Sequence, residues 1–388
     1  TIRRVEVVKP GFLNFQLDPE FIIAQLNQQF VVPRSPLDVR QGVTLKGKVI
    51  VEYSSPNIAK PFTIGHLRST IIGDATANIL EADGYEVYRD NHVGDWGTQF
   101  GKQIYAIKTW GNEDEIDRAE NPVKVLVALY VKFHEEAEKD SELEERAREW
   151  FKKLEDGDTE AKRLWQKCID WSWKEFQKIY DELGVPSHGV FENGGRGYGE
   201  SFFENKMQPI LAELKEKNLL TDSEGAKLVM YPGEKLPPLM IVKKDGATLY
   251  ATRDLATDKF RIEKYGEDIK IINEVGIEQE LYFRQLYELE HMLGWFKQGQ
   301  RVHLKHGHFR FKDQKMSTRK GNVIWLEDVI AEAKKMATVL MATSGELRAQ
   351  WGNVGNVINR QDNLVKGELN HDIQKVAIGA LKWNDLKR

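Results

Sequence analysis

A chain of 388 residues is long enough to bury a large core and to hold two or more domains. Apolar residues make up 41% and charged residues 30%, and no apolar run nears the length of a membrane span, so a disordered chain and a helical membrane protein are both disfavoured. A net charge of −4 and a pI of about 6.2 argue against a surface that is basic all over, as in many nucleic-acid binders, and leave room only for a local basic stripe.

The opening TIRRVEVV has arginines but no long apolar stretch of a signal peptide, so a cytoplasmic location is expected. VEVVKPGFLNFQL alternates like strands, DPEFIIAQLNQQF has the pattern of a short helix, and Pro33, Arg34, Ser35 and Pro36 read as a linker. Lys48–Glu52 is a short run of β-branched residues, as in a parallel strand covered on both faces. Turn chemistry follows at Ser54, Ser55, Pro56 and Asn57. Pro61 delays the next helix, which Gly65 and His66 open. Leu67, Ile71, Ile72, Ala75 and Ile79 share one helical face, and Gly84 is the expected stop. A strand, a small-residue turn and a helix N-terminus make an anion site, because the first helical amides have no internal partner and the dipole favours negative charge. Lys60, Thr63 and His66 add donors there. An ordinary βα unit with a polar loop has the same local pattern, so this stretch alone leaves function open.

A further strand is expected over 85–89. Residues 122–183 are strongly helical: Val125, Leu129, Phe133, Leu164, Trp165, Ile169 and Phe176 recur at helical spacing, and EEAEKD and ELEERARE read as solvated faces. The single cysteine, Cys168, falls in this pattern as a buried thiol and excludes a disulfide framework. Residues 186–245 look looser. GGRGYGE at 194–200 lacks G-x-G-x-x-G spacing and reads as a flexible loop, not a dinucleotide site. α/β patterning returns over 246–330, with a strand at 270–275, a helix at 281–293 and the polar loop KMSTRKG at 315–321. An amphipathic helix spans 327–342, a weak polar stretch follows to 370, and DIQKVAIGALKWNDLKR stops inside a continuing helical pattern.

SSPNIAKPFTIGHLRST at 54–70 resembles the nucleotide-binding signature of arginyl-tRNA synthetases, which are class I aminoacyl-tRNA synthetases. GDWGTQFG at 94–101, LYATRD at 249–254, KMSTRKG at 315–321 and AIGALKWNDLKR at 377–388 resemble further family stretches in the same order. The resemblance covers most of the chain. It implies an α/β fold: a Rossmann-like parallel sheet with a large, mostly helical insertion and a C-terminal helical segment. On this resemblance, 1–40 is the tail of an N-terminal tRNA-binding domain with its linker. Residues 41–104 and 246–330 are the two halves of the catalytic domain, 105–245 is the insertion, and 331–388 is a helical junction toward an anticodon-binding domain expected beyond it.

The resemblance also implies an activity: ATP and L-arginine form arginyl-adenylate, and arginine then passes to the 3′ end of tRNA. Such an enzyme needs no protein nucleophile. It positions two reactants and neutralises developing phosphate charge. By resemblance the catalytic residues are Lys60, His66, Lys315 and Lys320. ATP contacts fall to Thr63, Gly65, His66, His306, Phe309, Met316 and Ser317. Arginine contacts fall to Glu52, Ser55, Asn57, His66, Tyr250, Asp254 and Gln279. Three positions depart from the family pattern. Thr63 and Tyr282 stand where histidine is common, and Thr318 stands where the class I loop has its second lysine, whose part Lys60 would take.

A guanidinium presents five donors in a planar fork and pairs best with carboxylates, which suits Glu52 and Asp254. An acid ending an apolar strand is costly unless it meets a cation, and an internal arginine or lysine would serve Glu52 equally well. Asp254 could also act as a helix N-cap. His303, His306 and His308 crowd one strand-like segment, but without cysteine or acid at zinc spacing, so no metal site is expected. Mg²⁺ would come with ATP, and a monomer is expected. Two rivals stay open: a class I adenylyl-transferring enzyme for another amino acid, and a non-catalytic relative that only binds ligands or RNA.

Overall fold

The computed structural model describes residues 2–8, 11–29, 45–185, 191–234, 236–244, 246, 248–307, 324–343 and 363–387. The chain divides into two units, Thr1–Lys46 and Gly47–Arg388. In the first, β1 (Ile2–Val8) and β2 (Phe12–Leu17) pair antiparallel and α1 (Pro19–Gln29) follows. The expected linker at 33–36 and the expected boundary at 40 lie outside the described residues.

The second unit is built on a four-stranded parallel sheet of order β4-β3-β8-β9: β3 (Lys48–Glu52), β4 (Glu86–Asp90), β8 (Lys270–Gly276) and β9 (Arg301–His306). Side chains alternate along β3 as the pleat requires. Val49 and Val51 enter one core, and Ile50 enters the other. The first core lies under α2 (Ile64–Ala82), which connects β3 to β4, and under the helices α3 (Gln99–Trp110), α4 (Glu113–Arg118), α5 (Pro122–Ala137), α6 (Glu142–Glu155) and α7 (Thr159–Leu183). Gly73 allows the close approach of α2 to the sheet; a Cβ there would fall 2.1 Å from Tyr53 Cβ.

The second core is closed by α8 (Met207–Glu216), a small antiparallel sheet β5 (Thr221–Ser223), β6 (Ala226–Val229) and β7 (Leu239–Val242), then α9 (Tyr250–Tyr265) and α10 (Glu280–Met292). That sheet lies in the stretch read as loose from sequence. The GGRGYGE segment is also anchored, not a free loop. Tyr198 N–H donates to Asp90 Oδ1 (3.0 Å), and Ser201 donates through N–H and Oγ to the two oxygens of Asp95 (2.7 Å each). The expected division at 104 falls inside α3, and that at 330 inside α11 (Leu326–Thr343). The last helix, α12 (Asn363–Leu386), packs on α11 and α2. Among the described residues, no helix is long and apolar enough to cross a membrane.

Candidate active site

From β3 the chain moves to β4 on one side of the sheet, and from β8 to β9 on the other. The switch point therefore lies between β3 and β8, and in open parallel sheets ligands bind in the crevice outside the carboxyl ends of such strands. A cavity of about 400 Å³ opens there. Its walls include Glu52 at the end of β3, Ser55, Asn273 and Val275 of β8, Gln279, and Tyr282 of α10. Tyr250, Asp254, Asp258 and Arg261 reach it from one face of α9, at spacings of three and four residues. His92 and Glu200 complete the polar lining.

The cavity is acid-rich, but its acids are not equivalent. Glu52 is buried and already has partners: Oε2 accepts from Arg261, and Oε1 accepts from Asn273 Nδ2 at 3.0 Å. Arg261 also donates to Asp90 Oδ2 (2.7 Å) and Asp258 Oδ1 (3.0 Å). Burial would push the Glu52 carboxyl up, but the Arg261 guanidinium outweighs it and holds the group below the usual range. The internal arginine is thus the cation that Glu52 meets. Asp254 is different: its Oδ2 accepts from the Tyr282 hydroxyl, and burial pushes it up to about 6. It stands one turn inside α9, whose N-cap is Leu249, so it is not a cap. Burial likewise raises Glu200. Burial would lower His92, but Glu52, Asp254 and Glu200 outweigh it and raise its pKa.

The loop from β3 to α2 is strained. Ser54, Ser55 and Ala59 have φ of +72°, +43° and +56°. Left-handed conformations at non-glycine residues cost about 1–3 kcal/mol each and persist only where the surroundings over-determine them. At the start of α2, His66 Nδ1 accepts from Thr63 N–H at 3.0 Å, so in the neutral ring Nε2 carries the proton. Burial first, and then nearby Lys60, push the imidazole pKa down to about 4. His66 is therefore a neutral donor at neutral pH. Gly65 is exposed, and a Cβ there would meet only Thr63 Oγ1 at an ordinary 3.4 Å. The fold itself does not demand glycine at that position.

Five of the seven residues expected to hold arginine line the cavity: Glu52, Ser55, Tyr250, Asp254 and Gln279. Asn57, in the strained loop, bridges to Gly94 in the segment after β4, and His66 sits at the helix start. His306 ends β9, with Nδ1 2.6 Å from Glu274 Oε1. His303 bonds the Val275 carbonyl, and among the described residues no three metal-ligating side chains converge. Lys315, Met316, Ser317, Lys320 and Phe309 lie outside the described residues. The chain flanking them is tied to α2: Arg68 donates to the Gly307 carbonyl, and Thr63 bridges to Trp325. Sequence reasoning missed His92, Glu200 and Arg261. For Arg261 a signal existed, in the helical spacing of Tyr250, Asp254, Asp258 and Arg261. For Glu200, after a glycine-rich stretch, there was none.

Residues 36–388 match the family model for class I tRNA synthetases (R), catalytic domain. The arginine–tRNA ligase of Clostridium perfringens is 50% identical over 287 residues, 74% of this chain and 49% of that protein. That of Exiguobacterium sibiricum is 41% identical over 389 residues, 98% of this chain and 64% of the relative. The chain thus spans about half to two thirds of the length of these relatives. Among solved structures, an arginyl-tRNA synthetase from Plasmodium falciparum matches with a TM-score of 0.67 and 26% identity, covering 100% of this chain and 61% of that one. The arginyl-tRNA synthetase of Thermus thermophilus, at 19% identity, shares the fold with a TM-score of 0.64. The cavity at the switch point is therefore carried by a chain that belongs to the arginine-type class I tRNA synthetase family, through its catalytic domain.

Proposed function

We propose that this chain activates L-arginine with ATP and transfers it to the 3′ end of a cognate tRNA. The observation that carries the reading is the acid-walled cavity at the β3–β8 switch point, which opens beside the strained loop and the neutral His66. The guanidinium enters among Asp254, Glu200 and the Tyr250 ring, while Glu52, held by Arg261, faces the same space with a fixed orientation. Ser55, Asn57 and Gln279 hold the α-amino and carboxylate end. The adenylate forms when that carboxylate attacks the α-phosphorus and pyrophosphate leaves.

Nucleotide contacts in this reading come from Thr63, Gly65, His66, His306, Phe309, Met316 and Ser317. Glycine at 65 keeps the backbone open to the nucleotide, which explains a glycine that packing does not require. Lys60, Lys315 and Lys320 neutralise developing phosphate charge, with His66 donating from Nε2. Mg²⁺ arrives on the ATP phosphates, whose oxygens it prefers to an all-protein cage. Residues 41–104 and 246–330 act as the catalytic halves and 105–245 as the insertion, in a cytoplasmic monomer that binds tRNA.

The test is pyrophosphate exchange by the 388-residue chain with each of the twenty amino acids in turn, with and without a tRNA pool. Exchange that needs arginine supports the reading. Exchange with a different amino acid assigns the cavity to another substrate, and binding of ATP and arginine without exchange leaves a non-catalytic binder.

A further inference from the structure

The strained loop is held from two sides. α2 holds Ser54, whose N–H donates to Ser69 Oγ (3.0 Å) and whose Oγ lies 2.8 Å from Thr70 Oγ1, and the helical insertion holds the loop from outside the nucleotide fold. Ala59 N–H donates to Ser172 Oγ of α7 at 2.9 Å. The Ser172 hydroxyl donates in turn to the Cys168 carbonyl, which fixes its rotamer (2.7 Å). Eight residues on, on the same face of α7, the Tyr180 hydroxyl lies 2.8 Å from Ser54 Oγ and accepts from Asn91 Nδ2 at 3.0 Å. Asn91 Oδ1 accepts from Ser55 N–H at 3.0 Å. Each of the three left-handed residues is thus bonded, directly or through Asn91, to a buried hydroxyl of one helix. Between the two hydroxyls, Phe176 and the Tyr180 ring pack on Phe62, and Phe62 packs on His66, with centroids 5.2–5.7 Å apart.

We infer that α7 is the clamp of the substrate loop, with Ser172 and Tyr180 as positioning residues for two different substrates. Ser172 sets the conformation at Ala59, next to Lys60 and the helix start that takes ATP. Tyr180 sets Ser54 and Ser55, and Ser55 lines the arginine cavity. Neither hydroxyl touches a reactant. The inference rests on the proposed reading of this loop as the meeting point of ATP and arginine. It gives the insertion a part in that reading: a shift of α7 along its axis changes both half-sites at once.

The test is calorimetric titration of ATP, and separately of L-arginine, into the full 388-residue chain and into Ser172→Ala and Tyr180→Phe. Each change removes one hydroxyl and leaves the apolar packing. Losing one such hydrogen bond weakens binding about three- to tenfold. Ser172→Ala is expected to do so for ATP while leaving arginine nearly unchanged, and Tyr180→Phe is expected to do the reverse. Hydrogen exchange gives an independent readout: the Ala59 amide should exchange faster in Ser172→Ala and the Ser55 amide in Tyr180→Phe. Equal changes for both ligands, or none with unchanged exchange at both amides, would overturn the clamp. A parent chain that binds neither ligand would instead defeat the functional reading, and the inference with it.

Discussion

Asp254 and Glu52 are both buried acids in one cavity, yet Glu52 meets a guanidinium and Asp254 meets a hydroxyl. On the proposed reading, the charge that remains for a substrate guanidinium is that of Asp254, with Glu200 lining the same cavity. Asp254→Asn keeps the shape and loses a charge-assisted acceptor, which costs about 1.5–3 kcal/mol. Arginine affinity is expected to fall about ten- to a hundredfold in calorimetry, with ATP affinity unchanged; equal losses for both would make Asp254 a scaffold residue. The pKa near 6 adds a pH dependence. On the proposed reading arginine needs the ionised carboxylate, so its affinity is expected to fall as pH drops through about 6, and protonation of the raised His92 acts in the same direction. Stability of the free protein moves the other way at this group. A buried carboxyl raised from 3.8 favours the protonated fold, so its contribution improves as pH falls from about 6 toward 4. Lys60→Ala belongs to the same scale. If Lys60 replaces the lysine absent at position 318, its charge acts on the departing phosphates. Its loss should lower kcat for exchange by roughly 10² to 10³, with little change in arginine binding. An unchanged kcat would remove Lys60 from the chemistry. At this scale LYATRD and SSPNIAK were legible as motifs, whereas the Glu52–Arg261 pair, 209 positions apart, left no local trace.

The signature helix α2 is gripped over its first two turns. Thr63 and His66 close its first turn, and Arg68 in the second donates to both the Gly307 carbonyl and Asp385 Oδ1 of α12, at 3.1 and 3.0 Å for the latter. The ion pair is buried, with side chains 8% and 2% exposed. Removing one partner of such a pair strands the other charge and costs about 3–5 kcal/mol. Asp385→Ala should lower the urea midpoint accordingly and weaken ATP, because Arg68 also fixes the chain entering the 308–323 stretch. Stability loss without any change in ATP binding would show that α12 supports the fold alone. The sequence revealed α2, α10, α11 and most of the insertion helices because their apolar period is long and regular. It hid β5, β6 and β7, whose three or four residues are too short to show a period.

The whole molecule is organised by one pairing. β3 finds β4 nearby in sequence, but its other neighbour is β8, and Asn273 reaches Glu52 across 221 positions. The parallel sheet was legible from short β-branched runs alternating with helices. The strand order was not, because nothing local in either run names its partner. That pairing has a consequence in time. Helices closed by local contacts form before strands that wait for distant partners. In pulse-labelled refolding, amides of α5 and α7 should be protected ahead of those of β3 and β8, and simultaneous protection would mean that sheet and insertion form one nucleus. On a ribosome adding about 5–20 residues per second, β3 emerges roughly 10 to 40 seconds before β8 exists. For that interval Ile50 and Val51 lie on an open sheet edge, and the insertion helices, already folding beside them, are the chain's first shelter against aggregation.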